Sequence, residues 1–181
     1  ELGLAMFNRC CDLLKPGGKM CIVLPETYFF SPSYKYVREW VKERLKPGCV
    51  ANVPMDAFHG FCRAKTNLYV FEKLDSDKDN LDLGQDTVTI MNPQTCGIYK
   101  NGSDRYVVDV NGQRTDEIDN ELMKQASLYQ ISGGKGFVDV PVQETYQRDV
   151  LVPRYYDQSL EQPFDTLMKE HGFKSVTIGE L

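Results

Sequence analysis

Aromatic and basic side chains are concentrated between residues 58 and 65. Phe58 and Phe61 are separated by two residues, and His59, Arg63 and Lys65 lie beside them in the sequence. A groove that binds nucleic acid combines aromatic rings, which stack on bases, with cationic groups, which meet phosphates. Two alternatives are that a ring caps the hydrophobic core and that the charges belong to an ordinary solvated loop. The residue types leave these interpretations open.

Other reactive side chains are isolated from one another. His59 and His171 are far apart, and the six cysteines include no Cys-x-x-Cys pair. These spacings argue against a metal site and a Ser-His-Asp site, and they predict reduced thiols in a cytoplasmic protein. Gly134-Lys135-Gly136 lacks the strand-to-helix context of a cofactor-binding loop. We therefore predict no metal-binding, cofactor-binding or catalytic residues within these 181 residues.

Charge is distributed unevenly along the chain, whose net charge is −5. Residues 1–75 contain 11 Lys and Arg against 8 Asp and Glu, and the remainder contains 10 basic and 18 acidic residues. The small basic excess could face phosphates, although a solvated surface explains it equally well. No signal-peptide pattern is present, and no apolar run is long enough to span a membrane, so we predict no membrane partner.

The first half of the sequence predicts alternating helices and strands. Apolar residues recur at helical spacing between residues 4 and 14 and predict a helix, which Lys15-Pro16-Gly17-Gly18 ends. Met20–Leu24 is an apolar run that indicates a strand buried on both faces, as in a parallel sheet. Pro25 and Glu26 then lie at the carboxyl end of a central strand, where open α/β sheets place ligands. Alternatively, Pro25 only ends the strand.

The remaining patterns predict further elements. An apolar stripe over residues 34–45 predicts a second helix, ended by Lys46-Pro47-Gly48, and Cys49–Pro54 and Thr66–Phe71 predict strands. Residues 72–86 indicate an exposed boundary, and 131–157 an irregular segment. Further predictions are a strand at Thr87–Met91, a hairpin strand at Arg105–Val110 and helices near residues 118–129 and 160–171.

The succession of motifs resembles the catalytic subunits of bacterial type I restriction–modification systems and their fused relatives. The resemblance rests on Lys15-Pro16-Gly17-Gly18 with Ile22-Val23-Leu24-Pro25, and then on Val37-Arg38-Glu39, Ala57-Phe58 and Thr66–Lys73. Two later segments, Cys96–Gly102 and Val152–Asp157, resemble the segments that follow the sheet and lead to a target-recognition region.

The resemblance implies an α/β fold, namely the late half of a Rossmann-like sheet of a methyltransferase that uses S-adenosylmethionine, followed by a mixed α+β extension. Residues 1–75 would form the second half of the catalytic domain, and residues 76–181 the extension and connector. The last strand of such sheets runs antiparallel to the others, and Thr66–Phe71 would supply it.

The resemblance also implies an activity for the parent protein, which is methyl transfer from S-adenosylmethionine to N6 of an adenine flipped out of double-stranded DNA. Phe58, or Phe61 as the alternative, would stack on the extruded base, and Lys65 and Pro25 would border it. A specificity subunit or a fused recognition domain would be the protein partner.

The sequence departs from the family in two motifs. It contains no glycine-rich cofactor loop and no Asn-Pro-Pro-aromatic motif, and Asn92-Pro93-Gln94 lacks the second proline and the aromatic residue. We expect both motifs upstream of Glu1, so that this chain is a carboxyl-side fragment that is inactive alone. The alternatives are a methyltransferase acting on RNA or small molecules, and a non-catalytic interaction module.

Overall fold

The computed structural model describes residues 1–58, 64–75, 85–133, 137–157, 166 and 168–172. Its longer elements are four helices and seven strands within these residues. They are α1 (Leu2–Leu13), β1 (Lys19–Pro25), α2 (Lys35–Arg44), β2 (Leu45–Val53), β3 (Thr66–Lys73), β4 (Thr87–Met91), β5 (Tyr106–Val108), β6 (Arg114–Ile118), α3 (Glu121–Ser132), β7 (Val138–Pro141) and α4 (Val142–Arg148).

Five strands form one sheet in the order β1-β3-β2-β4-β7. Strand β3 runs antiparallel to both β1 and β2, while β2 and β4 are parallel, and β7 is antiparallel to β4. The strands β1, β2 and β4 therefore point the same way, and their carboxyl ends meet at one end of the sheet. The antiparallel direction expected for Thr66–Phe71 is confirmed, and the fold is of the mixed α/β kind.

Strand β1 differs from its prediction. It lies at an edge of the described sheet and pairs with β3, so it is not a central strand. Its residues alternate between packed and exposed, and Val23 remains exposed. The strand is therefore buried on one face only. The sequence could not reveal this, because the alternate residues that point to the two faces of the strand are apolar on both faces.

The transition from α2 to β2 also differs from its prediction. The sequence Lys46-Pro47-Gly48 forms no turn, because β2 begins at Leu45 directly after the helix. The pairing with β3 shifts register between Pro47 and Cys49. A bulge accommodates the missing N–H of a proline within a strand.

The segment predicted to be irregular is ordered in part. Strand β7 and helix α4 lie within it, and Pro153–Tyr156 forms a 3₁₀-helix. The hairpin of β5 and β6 and the helix α3 confirm their predictions. Of the predicted last helix, residues 168–170 are helical, and much of the rest lies outside the described residues. The boundary at residue 75 stays a prediction, although strands from both sides of it share the sheet.

The two faces of the sheet carry separate clusters. One cluster contains most of the buried aromatic rings, including Phe7, Phe29, Tyr69 and Phe71, and is covered by α1, α2 and α4. The other consists of Cys49, Ala51 and Met91, with partly buried neighbours that include Tyr129 of α3. This division follows from the strand period of two, because alternate residues of β2 and β3 point to opposite faces.

An ion-pair network fastens the end of α4 to α2. Arg38, which is buried, donates from Nη2 to Asp149 Oδ2 at 2.6 Å, and Lys42 donates from Nζ to Asp149 Oδ1 at 3.2 Å. The hydrogen bond from Arg38 and the two cationic groups hold the pKa of Asp149 below its usual value. The later segment is thereby attached to the first half of the chain.

Candidate functional site

A cavity of about 780 Å³ opens at the end of the sheet where β1, β2 and β4 terminate. Three asparagines follow one another across neighbouring strands at this end. Asn67 of β3 pairs with Asn52 of β2, and Asn92 directly follows β4. All three line the cavity. These amide side chains form a polar floor at the end of the sheet where the parallel strands β2 and β4 terminate and the antiparallel strand β3 begins, which is the end where open α/β sheets bind ligands.

Lys65 and Asn52 are linked within this floor. Lys65 Nζ donates to Asn52 Oδ1 and, at 3.1 Å, to the Val53 carbonyl oxygen. Asn52 Nδ2 in turn donates to the Pro93 carbonyl oxygen at 2.6 Å. Burial lowers the pKa of the Lys65 ammonium below its usual value, and the Glu26 carboxylate opposes this shift. Lys65 therefore holds the ends of β2 and β3 together at the cavity.

Glu26 places a buried carboxylate in the cavity wall. Glu26 is only 4% exposed, and its Oε1 accepts a hydrogen bond from Arg154 Nη2 at 2.8 Å. Its Oε2 is buried and has no hydrogen-bond partner among the described residues. The side chain of Arg154 is about half exposed, so the guanidinium faces both the carboxylate and solvent.

Asn67 contributes a second acceptor without a partner. The residue is fully buried, and its Nδ2 donates to Tyr69 Oη at 3.2 Å. Its Oδ1 accepts no hydrogen bond from the described part of the chain, and the same is true of Gln125 Oε1 on α3. Burial raises the pKa of Tyr69 far above its usual value, so its hydroxyl stays neutral. An orphaned buried acceptor is costly and needs an explanation.

The segment Asn92-Pro93 makes two hydrogen bonds within the chain. Asn92 Nδ2 donates to Asp157 Oδ2 at 2.6 Å, and the Pro93 carbonyl oxygen accepts from Asn52. Both groups are therefore engaged within the chain.

The residues predicted from the sequence do not all converge on this cavity. Lys65 lines it, whereas the described lining residues do not include Pro25 or Phe58. Pro25 ends β1 opposite Thr66, and Phe58 is half-buried at the end of a 3₁₀-helix that starts at Met55. Phe61, like His59 and Arg63, lies outside the described residues. The cavity therefore neither supports nor contradicts the base-stacking role of Phe58, which stays a prediction.

Sequence reasoning missed Asn52 and Gln125. A signal for Asn52 was present, because Asn52 is the polar residue in the run Cys49–Val53, which is otherwise apolar. A polar side chain within a buried strand is unusual enough to mark a site. Gln125 carried no such signal, since glutamine is common on helix surfaces.

The described residues do not fit the S-adenosylmethionine that the resemblance implies. Gly17 and Gly18 precede β1, at the wrong end of that strand, and Gly48 lies inside β2. No described glycine-rich turn joins the carboxyl end of a strand to a helix.

Within the described residues, no group of three or more His, Cys, Asp or Glu side chains could hold a metal. No helix among these residues is long and apolar enough to cross a membrane.

Comparisons with known proteins find similarities among solved structures. No protein-family model and no curated protein matches it. Among solved structures it is similar to the M protein of the type I restriction enzyme EcoKI, with 19% identity, a TM-score of 0.38, and coverage of 62% of this chain and 22% of that chain. It is also similar to a chain from a structure describing complex assembly and conformational transition of the type I R-M system, with 15% identity, a TM-score of 0.41, and coverage of 87% and 36%.

Both neighbours come from the class of systems that the sequence motifs resemble. The chain spans about a fifth of the length of the first and about a third of the second.

Proposed function

We propose that this chain is the carboxyl-side part of a DNA adenine-N6 methyltransferase of a type I restriction–modification system. In this proposal the parent protein uses S-adenosylmethionine and double-stranded DNA, with a specificity subunit or fused recognition domain as its partner. Cofactor binding would belong to chain outside residues 1–181, because the described residues do not form such a site.

The observation that carries the proposal is the position of β3. An antiparallel strand beginning at Thr66 and ending at Lys73 lies between two strands that are parallel to each other. The resemblance implies an antiparallel strand of this kind for the late half of a Rossmann-like methyltransferase sheet, and here β4 and β7 follow it in the same sheet. The sequence motifs between residues 15 and 73 support the same proposal.

Within this proposal Phe58 stacks on the extruded adenine. It is half-buried at the end of a short helix that follows β2, so the ring does not belong to either buried core cluster. Base stacking contributes about 1–3 kcal/mol per base. In the parent protein, Phe58→Ala should therefore weaken methylation about tenfold or more, whereas Phe58→Trp should largely retain it and Tyr36→Ala, an exposed aromatic control on α2, should not affect it.

Two measurements on matched samples test the function. Calorimetric titration with S-adenosylmethionine should detect binding by the complete gene product and none by the 181-residue chain. Transfer of a labelled methyl group to adenine in duplex DNA should follow the same pattern. Methylation by the 181-residue chain alone would contradict the assignment of the cofactor site to other residues.

A non-catalytic interaction module is the second candidate. The absence of an Asn-Pro-Pro-aromatic motif from the described residues favours it, as does the engagement of the Asn92 amide nitrogen and the Pro93 carbonyl oxygen within the chain. A complete gene product that binds neither S-adenosylmethionine nor DNA, and that has no Asn-Pro-Pro-aromatic motif, would support this second function.

A further inference from the structure

The hairpin of β5 and β6 forms a sheet of its own, and hydrogen bonds fix it at both ends. Asp119, directly after β6, accepts from Arg105 Nε at 2.8 Å and from Thr95 Oγ1 at 2.9 Å. At the turn, Asp109 Oδ1 accepts from two backbone N–H groups at 2.9 and 2.8 Å. The hairpin therefore presents a surface of defined shape.

The two faces of this hairpin are reversed relative to an ordinary antiparallel sheet. We call one of them the outer face, and it consists of two cross-strand pairs, Tyr106 with Ile118 and Val108 with Arg114. Val108 is 58% exposed and Ile118 is 38% exposed. Glu117, which alternates to the other face, binds Lys124 of α3 at 2.6 Å. An antiparallel sheet normally packs its apolar face on the core, whereas this hairpin directs it to solvent.

The residue types at the outer face and the adjoining tip are those of a protein-binding surface. Val110, at the tip, is fully exposed. The guanidinium carbon of Arg114 lies 3.5 Å from the centroid of the Tyr106 ring, so the two side chains stack on each other. Tyrosine and arginine are enriched among the residues that dominate binding energy at protein interfaces. Exposed apolar patches bordered by polar residues mark such interfaces.

The charges near the outer face disfavour nucleic acid and favour a second copy of this chain. Residues 76–181 contain 10 basic and 18 acidic residues, and such an excess of acidic groups repels phosphates. Asp116 is exposed in the bulged part of β6, and neither Arg114 nor Asp116 forms an ion pair with another described residue. In a two-fold symmetric contact each residue meets its counterpart reciprocally, so Arg114 of each copy can pair with Asp116 of the other.

We propose that the outer face of the hairpin binds the same face of a second copy of this chain in a two-fold symmetric contact. The exposed valines bury one another, and the reciprocal Arg114–Asp116 pairs set the register. The contact is smaller than the roughly 800 Å² per partner of a standard interface, so we expect a dissociation constant of roughly 10–100 μM. The inference goes beyond the methyltransferase proposal and does not depend on it, because neither cofactor nor DNA takes part in the contact.

The first experiment varies the protein concentration. The mass of the 181-residue chain is measured by sedimentation equilibrium from about 5 to about 500 μM, which brackets the expected dissociation constant. We expect the mass to rise from that of the monomer toward that of the dimer and to go no further, because a two-fold contact closes on itself. Masses that continue to rise beyond the dimer would contradict this symmetry.

The second experiment replaces an exposed apolar residue at the contact. Val110→Lys puts a charge at the tip of the hairpin, and each dimer contains the change twice, so we expect dimerisation to weaken about tenfold. Ile131→Lys is the matched control, because it makes the same kind of change at a residue of α3 that is 85% exposed and lies outside the outer face. The control should leave dimerisation unchanged, and circular dichroism verifies that both variants are folded.

The third experiment exchanges the two charges. Arg114→Asp and Asp116→Arg each place like charges opposite one another twice in the dimer, so we expect each to weaken dimerisation about tenfold. The double variant restores opposite charges and should dimerise at least about threefold more tightly than either single variant. Arg114→Asp and the double variant both lack the stacking of Arg114 on Tyr106, so their comparison isolates the charge.

Three results would overturn the inference. They are a monomeric mass over the whole concentration range, dimerisation that a folded Val110→Lys variant leaves unchanged, and a double charge variant that dimerises no better than the single variants. None of these outcomes bears on S-adenosylmethionine binding or methyl transfer by the complete gene product, so the two proposals can fail separately.

Discussion

The two faces of the main sheet are covered to very different degrees. One face stacks Phe29 on Tyr69 with ring centroids 4.1 Å apart and is closed by three helices. The other face packs against α3, a helix in which no residue is buried and in which Leu128 stays half exposed. The comparison teaches that stability is concentrated on the aromatic face. Helix α3 contributes mainly by placing Gln125 at the cavity.

The largest expected effect comes from the aromatic face. Phe29→Ala removes a ring that is 1% exposed and stacked on the rings of Tyr69 and Phe71, so it creates a cavity in the core. We expect the free energy of unfolding to fall by about 4 kcal/mol, measured by urea denaturation. A loss below about 1 kcal/mol would mean that the two faces are equally important.

The ion-pair network that closes this face should have a smaller, pH-dependent effect. Asp149→Asn keeps a side chain that tolerates the positive φ of 51° at this position but removes the charge facing Arg38. We expect a loss of about 2 kcal/mol at pH 7. Glu144→Gln, which breaks an exposed i,i+4 pair with Arg148, is the control and should cost at most about 0.5 kcal/mol.

The sign of the pH effect follows from the lowered pKa of Asp149. The stabilisation by its carboxylate is complete above the unfolded-state pKa, which is near the ordinary value of 3.8. It is lost as the pH falls through the still lower folded-state pKa. The wild type and Asp149→Asn should therefore converge in stability below that range, and a difference that persists there would contradict the electrostatic origin.

The smallest effect is expected on the α3 face. Leu128→Ala removes a half-exposed side chain from a helix with no buried residue and places the best helix former there. We expect stability to change by less than about 0.5 kcal/mol, independently of protein concentration. A larger loss that grows with concentration would show that this face is covered by a second copy of the chain.

Much of the fold could be predicted from the sequence because its patterns are local. Helical spacing identified α1 and α2, and the β-forming residues after Thr66 identified β3. The sequence could not reveal β7, because Val138–Pro141 is only four residues long and acquires its structure by pairing with β4. The prediction of a turn at Lys46-Pro47-Gly48 was wrong, because the pairing of β2 with β3 places the proline at a bulge within the strand.

The candidate site was predicted less completely because it depends on long-range contacts. Lys65 and Glu26 were noticed at strand ends, but their meeting with Arg154, 128 residues after Glu26, depends on the path of the later segment. Asn52 gains its role only through its pairing with Asn67 and the approach of Pro93. The roles predicted for Phe58 and Pro25 rest on the family resemblance, and neither residue is among the described residues that line the cavity.

The ion pair between Arg38 and Asp149 joins residues that are 111 positions apart. At roughly 5–20 residues per second, a ribosome needs about 5–20 s to make the intervening chain. During that interval α2 has been synthesised while α4 and Asp149, which contact it, have not. We therefore expect nascent chains of this protein to expose the apolar stripe of α2 for seconds, and we expect added chaperones to improve the recovery of folded protein.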